Sequence, residues 1–214
     1  MSVRVIAIDG AAGSGKSTLA RGLARALGLA YVNTGQMYRA LTAAALRAGV
    51  DLDDGEALVR VTSGLSFRLS GSPTPELEVE GWSSDALTMP EVEGHVSQAA
   101  SHPNVRKLMR TLQRGFGERE GAVMEGRDIS TVVFPDAPVK IFLIADPRAR
   151  EARRIDERKG AEAIVAESLH ARDARDATVN PPVPAADAIV IDTTELGPDQ
   201  TLERALAIAR ERLP

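Results

Sequence analysis

Glycine, lysine and a hydroxyl at fixed intervals carry the first chemical signal: Gly10, Ala11, Ala12, Gly13, Ser14, Gly15, Lys16, Ser17 and Thr18 follow an apolar run at residues 3–8 and Asp9. Glycines let backbone N–H groups close around phosphate oxygens, a lysine at this spacing reaches the outer phosphates, and the following hydroxyl can ligate Mg²⁺. The pattern through Leu19, Leu23 and Leu27 continues as a helix, whose N-terminus would lie behind the anion. Asp9 could orient water on Mg²⁺, hold Ser17, or simply cap the turn. Such a loop indicates a nucleoside triphosphate and leaves kinase, motor and switch protein open. Two further clusters narrow the choice. Asn33, Thr34, Gly35, Gln36, Met37, Tyr38 and Arg39 offer a hydroxyl, a phenol and a guanidinium, and Glu125, Gly126, Arg127 and Asp128 offer acids beside an arginine. Beside a triphosphate loop, such groups suit a second, anionic substrate.

For these clusters to meet, each must lie at the carboxyl end of a strand in one sheet. Short apolar runs at 3–8, 30–32, 122–124, 139–145 and 188–191 read as buried parallel strands. Helical patterns fall between them at 16–27, 37–46, 105–116, 147–158 and about 199–212. The alternation predicts a P-loop α/β fold, a doubly wound parallel five-stranded sheet flanked by helices, with ligands at the carboxyl ends of the strands. Residues 65–82 break the rhythm. Their alternation around Gly71, Ser72, Pro73, Thr74 and Pro75 predicts an antiparallel hairpin, an insert on the sheet rather than part of it. The proline-rich stretch 177–186, with Pro181, Pro182 and Pro184, reads either as a lid edge or as a stiff connection.

Composition limits the alternatives. A chain of 214 residues is long enough to bury one real core, and it contains no apolar run of about 18 residues and no leader-like N-terminus. A soluble, cytoplasmic protein without membrane attachment is the expectation. The chain has no cysteine, which removes disulfides, thiolate catalysis and cysteine-ligated metals, and His95, His102 and His170 lack metal-ligand spacing. A net charge of −4 argues against broad binding to nucleic acid. Lysine stands only at Lys16, Lys107, Lys140 and Lys159, the other 22 basic residues being arginine, so no arginine counts as a phosphate ligand by type alone.

Taken together, these motifs resemble the bacterial cytidylate kinase family, nucleoside monophosphate kinases that phosphorylate CMP and dCMP with ATP. The match runs from Ile8 and Asp9 through Thr18, over Thr34, Gly35, Tyr38 and Arg39, the run 96–101, Val105 and Arg106, Gly126 to Pro135, the run 137–143 and the run 183–188. The resemblance implies ATP on residues 10–18, with Lys16 catalytic and Mg²⁺ shared between Ser17 and the ATP phosphates. It implies that Thr34, Tyr38 and Arg39 hold the monophosphate, that Ser97, Arg127 and Asp128 read the base, and that Arg106 is a further ligand of the acceptor. By type alone, Tyr38 could equally be core, Asp128 a turn cap paired with Arg127, Ser97 a loop hydroxyl and Arg106 a surface charge.

The resemblance also implies a unit built from a core (about 1–60, 97–148 and 186–214), a monophosphate-binding insert (about 61–96) and a helical lid region (about 149–185), acting as a monomer. Lid arginines would close over the phosphates, with Arg150, Arg154 and Arg172 catalytic and Arg175 binding CMP; Arg153 and Arg158 share the helical spacing of the first two. The chain departs from the family here. Residues 176–181 are about two residues short and lack an arginine, so either Arg172 or Arg175 covers that charge or the monophosphate is bound differently.

Overall fold

A computed structural model describes residues 4–158 and 183–213. Five strands, β1 (Val5–Gly10), β2 (Ala30–Asn33), β5 (Ala122–Gly126), β6 (Val139–Ile144) and β7 (Ile189–Asp192), form the predicted parallel sheet. Two more, β3 (Phe67–Ser70) and β4 (Glu76–Val79), are the predicted hairpin. The full order is β3-β4-β2-β5-β1-β6-β7. The hairpin is therefore not separate from the sheet, as its sequence suggested. Tyr31 pairs in parallel with Glu76, and the Tyr31 N–H donates to the Pro75 carbonyl at 2.8 Å. Without β4 the outer backbone groups of β2 would form an unpaired edge.

Because side chains alternate along a strand, each central strand feeds two cores. Ile6, Ile8, Tyr31, Val123, Ile141 and Leu143 pack with helix α1 (Lys16–Leu27) and with α8 (Pro198–Arg212). Val5, Ala7, Ala30, Val32, Ala122 and Met124 face the opposite way, onto α2 (Thr34–Arg47), α3 (Gly55–Ser63) and α6 (Pro103–Glu120). Helices on both faces are what a parallel sheet with near-continuous apolar strands requires.

A third, smaller cluster lies over the outer side of α2. There Ala40 and Ala43 meet Val79 of β4, Leu87 of the short α4 (Ser84–Leu87), and Val92 and Val96 of α5 (Pro90–Ala99). The insert is thus anchored to the helix that carries Tyr38 and Arg39. Helix α3 is capped by Asp54, whose carboxylate accepts from the N–H groups of Glu56 and Ala57 at 3.0 and 2.9 Å. Helix α5 starts with Pro90 and carries Glu91 and Glu93 in its first turn, favourable against the helix dipole. After β5 the chain makes a π-helical turn, Ile129–Val133, and α7 (Pro147–Arg158) follows β6.

Candidate active site

The phosphate-binding loop connects β1 to α1, and two of its glycines are fixed by sterics. Gly10, at φ +148°, would overlap the Leu143 carbonyl if it bore a Cβ, and Gly13, at φ +74°, would approach the Arg150 carbonyl to 2.9 Å. The Lys16 ammonium lies within the loop and donates to the Ala11 carbonyl at 2.6 Å. Ala12, Lys16 and Ser17 form one wall of a cavity of about 210 Å³. On the far side of the loop, Gly13, Ser14, Gly15 and Thr18 line a second cavity of about 260 Å³ with Arg153, Thr193 and Leu196.

The opposite wall of the first cavity collects the dispersed candidates. Thr34, Tyr38 and Arg39 enter from α2, Ser97 from α5, Arg106 from α6, and Arg127 and Asp128 from the end of β5. Arg106 and Asp128 pair at 2.6 Å, and Arg127 donates to the Gly10 carbonyl at 3.2 Å. The Thr34 hydroxyl, 4% exposed, donates to the Glu125 carbonyl at 2.8 Å, so to donate to a ligand it would have to exchange that bond. Tyr38 packs against two apolar clusters, as its core reading expects, and it also lines the cavity. Burial pushes its phenol up to about 12, with Asp128 acting the same way and Arg106 opposing.

Arg39 brings a buried cation to the cavity. Its Nε is buried without a hydrogen-bond partner, an arrangement that is costly for a charged donor unless a ligand completes it. Burial lowers the guanidinium's proton affinity, while the carboxylates of Glu93 and Glu125 oppose that shift and Arg154 adds to it. Arg154 itself lines the cavity, near the wall that holds Arg39.

Two buried carboxylates stand at adjacent strand ends and face opposite ways. Asp9 follows Val5 and Ala7 on one face of β1, away from α1, and accepts from the N–H groups of Ile129 and Ser130 at 2.8 and 2.7 Å and from the Ser130 hydroxyl at 2.5 Å. Of its sequence readings, the turn cap is the one observed. Burial outweighs these bonds and raises its pKa. Glu125 lies on the α1 side of β5, 3% exposed, and accepts from the Ser17 hydroxyl at 3.0 Å. Its other oxygen accepts a short bond from the Tyr31 phenol. Burial, then Glu125, raise the Tyr31 pKa, so the phenol is a donor throughout the physiological range. Oxygen donors from Ser17 and Glu125 on one side of the cavity suit a hard cation such as Mg²⁺.

The expected lid arginines separate. Arg154 reaches the cavity, whereas Arg150 donates to the Ala12 carbonyl at 3.2 Å, behind the loop. Arg153 holds Thr193, through its hydroxyl at 3.1 Å and its carbonyl. Arg172, Arg175 and the side chain of Arg158 lie outside the described residues, as do Pro181 and Pro182. Sequence reasoning assigned no role to Glu125, Asn33 or Glu93, all of which line the cavity. For Glu125 a signal existed: it is one residue past Met124, and strand alternation turns it toward α1. For Glu93, brought in by the insert, none did.

Comparison with known proteins agrees with this geometry. The family profile described as Cytidylate kinase matches residues 6–211. A protein named Cytidylate kinase from Klebsiella pneumoniae (strain 342) is 44% identical, covering 99% of this chain and 97% of that one. Another, from Desulfitobacterium hafniense (strain Y51), is 41% identical over 97% and 93% of the two chains. Among solved structures, an uncharacterized protein from Eubacterium ventriosum ATCC 27560 shares the fold at a TM-score of 0.51 and 13% identity, covering 97% of this chain and 99% of that chain.

Proposed function

The chain belongs to the cytidylate kinase family, and on that premise we propose that it moves the γ-phosphoryl group of ATP to a phosphate oxygen of CMP or dCMP, giving ADP and CDP or dCDP. The observation that carries the reading is that Lys16 of the phosphate-binding loop and the buried Arg39 line one cavity: its cations can hold a triphosphate and a second phosphate together.

In this reading the loop amides of residues 10–18 and Lys16 hold the donor phosphates. The second cavity, at Gly15, Thr18 and Thr193, takes the remainder of the donor nucleotide. Thr34, Tyr38 and Arg39 hold the monophosphate. Asp128, Ser97 and Arg127 read the base, since cytosine presents an N4 amino donor to a carboxylate and O2 and N3 acceptors to Ser and Arg. Uracil would set a carbonyl against Asp128, leaving a buried acceptor unpaired. Arg106 orients Asp128 through their 2.6 Å pair. An acceptor phosphate is already ionised near neutral pH, so positioning and charge neutralisation carry catalysis and no general base is needed. Lys16, Arg154 and Arg172 supply that neutralisation, Arg150 joins them only by giving up its bond to the Ala12 carbonyl, and Arg175 adds to monophosphate binding. Ser17, oriented by Glu125, would hold Mg²⁺ together with the ATP phosphates, and the ion would supply further charge neutralisation there.

The reading divides the chain into the core, the insert at about 61–96 and a lid region at about 149–185. It takes the protein as a monomer. No helix among the described residues is long and apolar enough to cross a membrane, and we place the protein in the cytoplasm. Initial rates of ADP formation from Mg-ATP with CMP, dCMP, UMP, AMP and GMP test the proposal, with Asp128→Ala alongside. A preference for CMP and dCMP that weakens in the variant is expected. Equal slow hydrolysis with every acceptor would overturn the kinase reading.

A further inference from the structure

Beneath the catalytic cavity runs a buried polar chain that joins its two walls. In the parallel register Asn33 lies beside Glu125 and Tyr31 beside Val123. Tyr31 and Val123 belong to the same apolar cluster against α1, and Glu125, two residues beyond Val123, projects from the same face. Tyr31, two residues before Asn33, is therefore the diagonal cross-strand neighbour of Glu125. Its ring is 2% exposed and lies under the Arg21 guanidinium, 4.8 Å from the ring centre. Its hydroxyl donates to Glu125 Oε1 and accepts from Asn33 Nδ2 at 3.3 Å. Glu125 Oε2 takes the Ser17 hydroxyl proton at 3.0 Å. On the other side Asn33 Oδ1 caps α2 by accepting from the Gln36 N–H at 3.1 Å, and Thr34 donates to the Glu125 carbonyl.

A serine hydroxyl has one proton and two lone pairs. If the proton is fixed on Glu125, the lone pairs are left for a cation; if the carboxylate rotates, the hydroxyl turns with it. The bond from Tyr31 to Oε1 holds the Glu125 carboxylate against rotation. We infer that Tyr31 is a positioning residue for Ser17, acting through Glu125, and thereby for Mg²⁺-dependent nucleotide binding on the loop. The inference rests on the reading of Ser17 as a ligand of Mg²⁺. It assigns a functional role to a residue whose burial alone would class it as core.

The test is equilibrium binding with Tyr31→Phe, which keeps the ring and its contact with Arg21 and deletes only the hydroxyl. The affinity of the non-hydrolysable β,γ-imido analogue of ATP is measured with Mg²⁺ and with EDTA, and that of CMP separately, with Tm recorded for both proteins. The expected result is that the gain in analogue affinity conferred by Mg²⁺ falls about tenfold in the variant, the scale of one hydrogen bond to a charged group, while CMP affinity changes less than about twofold. An unchanged Mg²⁺ gain overturns the inference. So does an equal loss in all three affinities with a lowered Tm, which would make the hydroxyl purely structural. Wild-type protein showing no Mg²⁺ gain would remove the Ser17 reading and the inference with it. Wild-type protein showing the gain but no CMP phosphorylation would overturn the kinase reading alone.

Discussion

The two walls of the cavity are built in different ways. The donor wall is local: nine consecutive residues, 10–18, from the end of β1 into the start of α1, shaped by glycine conformations and by the start of one helix. The acceptor wall is assembled from α2, α5, α6 and the end of β5, residues as far apart in sequence as Thr34 and Asp128. Asp9 bridges the two, since it sits on the donor strand and fixes the turn after Asp128. A local wall can be damaged only by altering its own residues. An assembled wall can also fail through the contacts that bring its parts together.

Substitution on the donor wall should have the largest effect. Lys16→Met is expected to lower kcat by about 10²- to 10³-fold, as for loss of one preorganised electrostatic donor, with every acceptor affected alike in steady-state assays. On the acceptor wall, Arg39→Ala should raise KM for CMP by roughly 10- to 100-fold, from the lost charge-assisted bonds, while KM for ATP moves little. A parallel rise in both values would erase the distinction between the walls. Asp128→Ala sharpens it further: the ratio of kcat/KM for CMP over UMP should fall by about tenfold or more, read directly from competing-acceptor rates.

Asp9→Asn probes the bridge. The two backbone N–H groups use different carboxylate oxygens, and the amide replaces one of these by an NH₂ donor facing a donor, so unfolding free energy should drop by about 1–3 kcal/mol, lowering Tm by roughly 2–4 °C per kcal/mol at this size. Activity per folded molecule is expected to persist. The smallest effect lies away from both walls, at Asp187, whose exposed carboxylate accepts from the buried Lys140 ammonium at 2.7 Å. That bond holds the Asp187 pKa below 3.8. The unfolded carboxyl therefore takes up its proton first as the pH falls, so the stabilisation is present above 3.8 and disappears as the pH drops through the depressed folded value. Asp187→Asn should flatten this acid limb in a Tm-against-pH series and leave kinetics unchanged.

The contrast between the walls also explains what could be read in the sequence. The donor loop was legible because its conformation is set by neighbours in the chain; α1 begins and ends at the expected residues, 16 and 27. The parallel strands were legible because burial on both faces leaves them apolar. The attachment of the hairpin to β2 was not, since it depends on one pairing, Tyr31 with Glu76, that no local pattern encodes. Asp9 and Glu125 could have been distinguished by counting alternation from their apolar neighbours, yet residue type alone had left three roles open for Asp9. Glu93 was out of reach, because only the packing of α5 on α2 brings it to Arg39.

The first turns of α7 are fastened to the donor loop. Arg150 reaches the Ala12 carbonyl, and Thr193, itself held by Arg153, donates to the Ser14 carbonyl at 3.1 Å. Neither partner can depart while the other stays. In native-state hydrogen exchange, the amides of the loop and those at the start of α7 should therefore open as one cooperative unit. A nucleotide on the loop would then slow exchange in this helix through the fastening itself, beyond any contact made by Arg154.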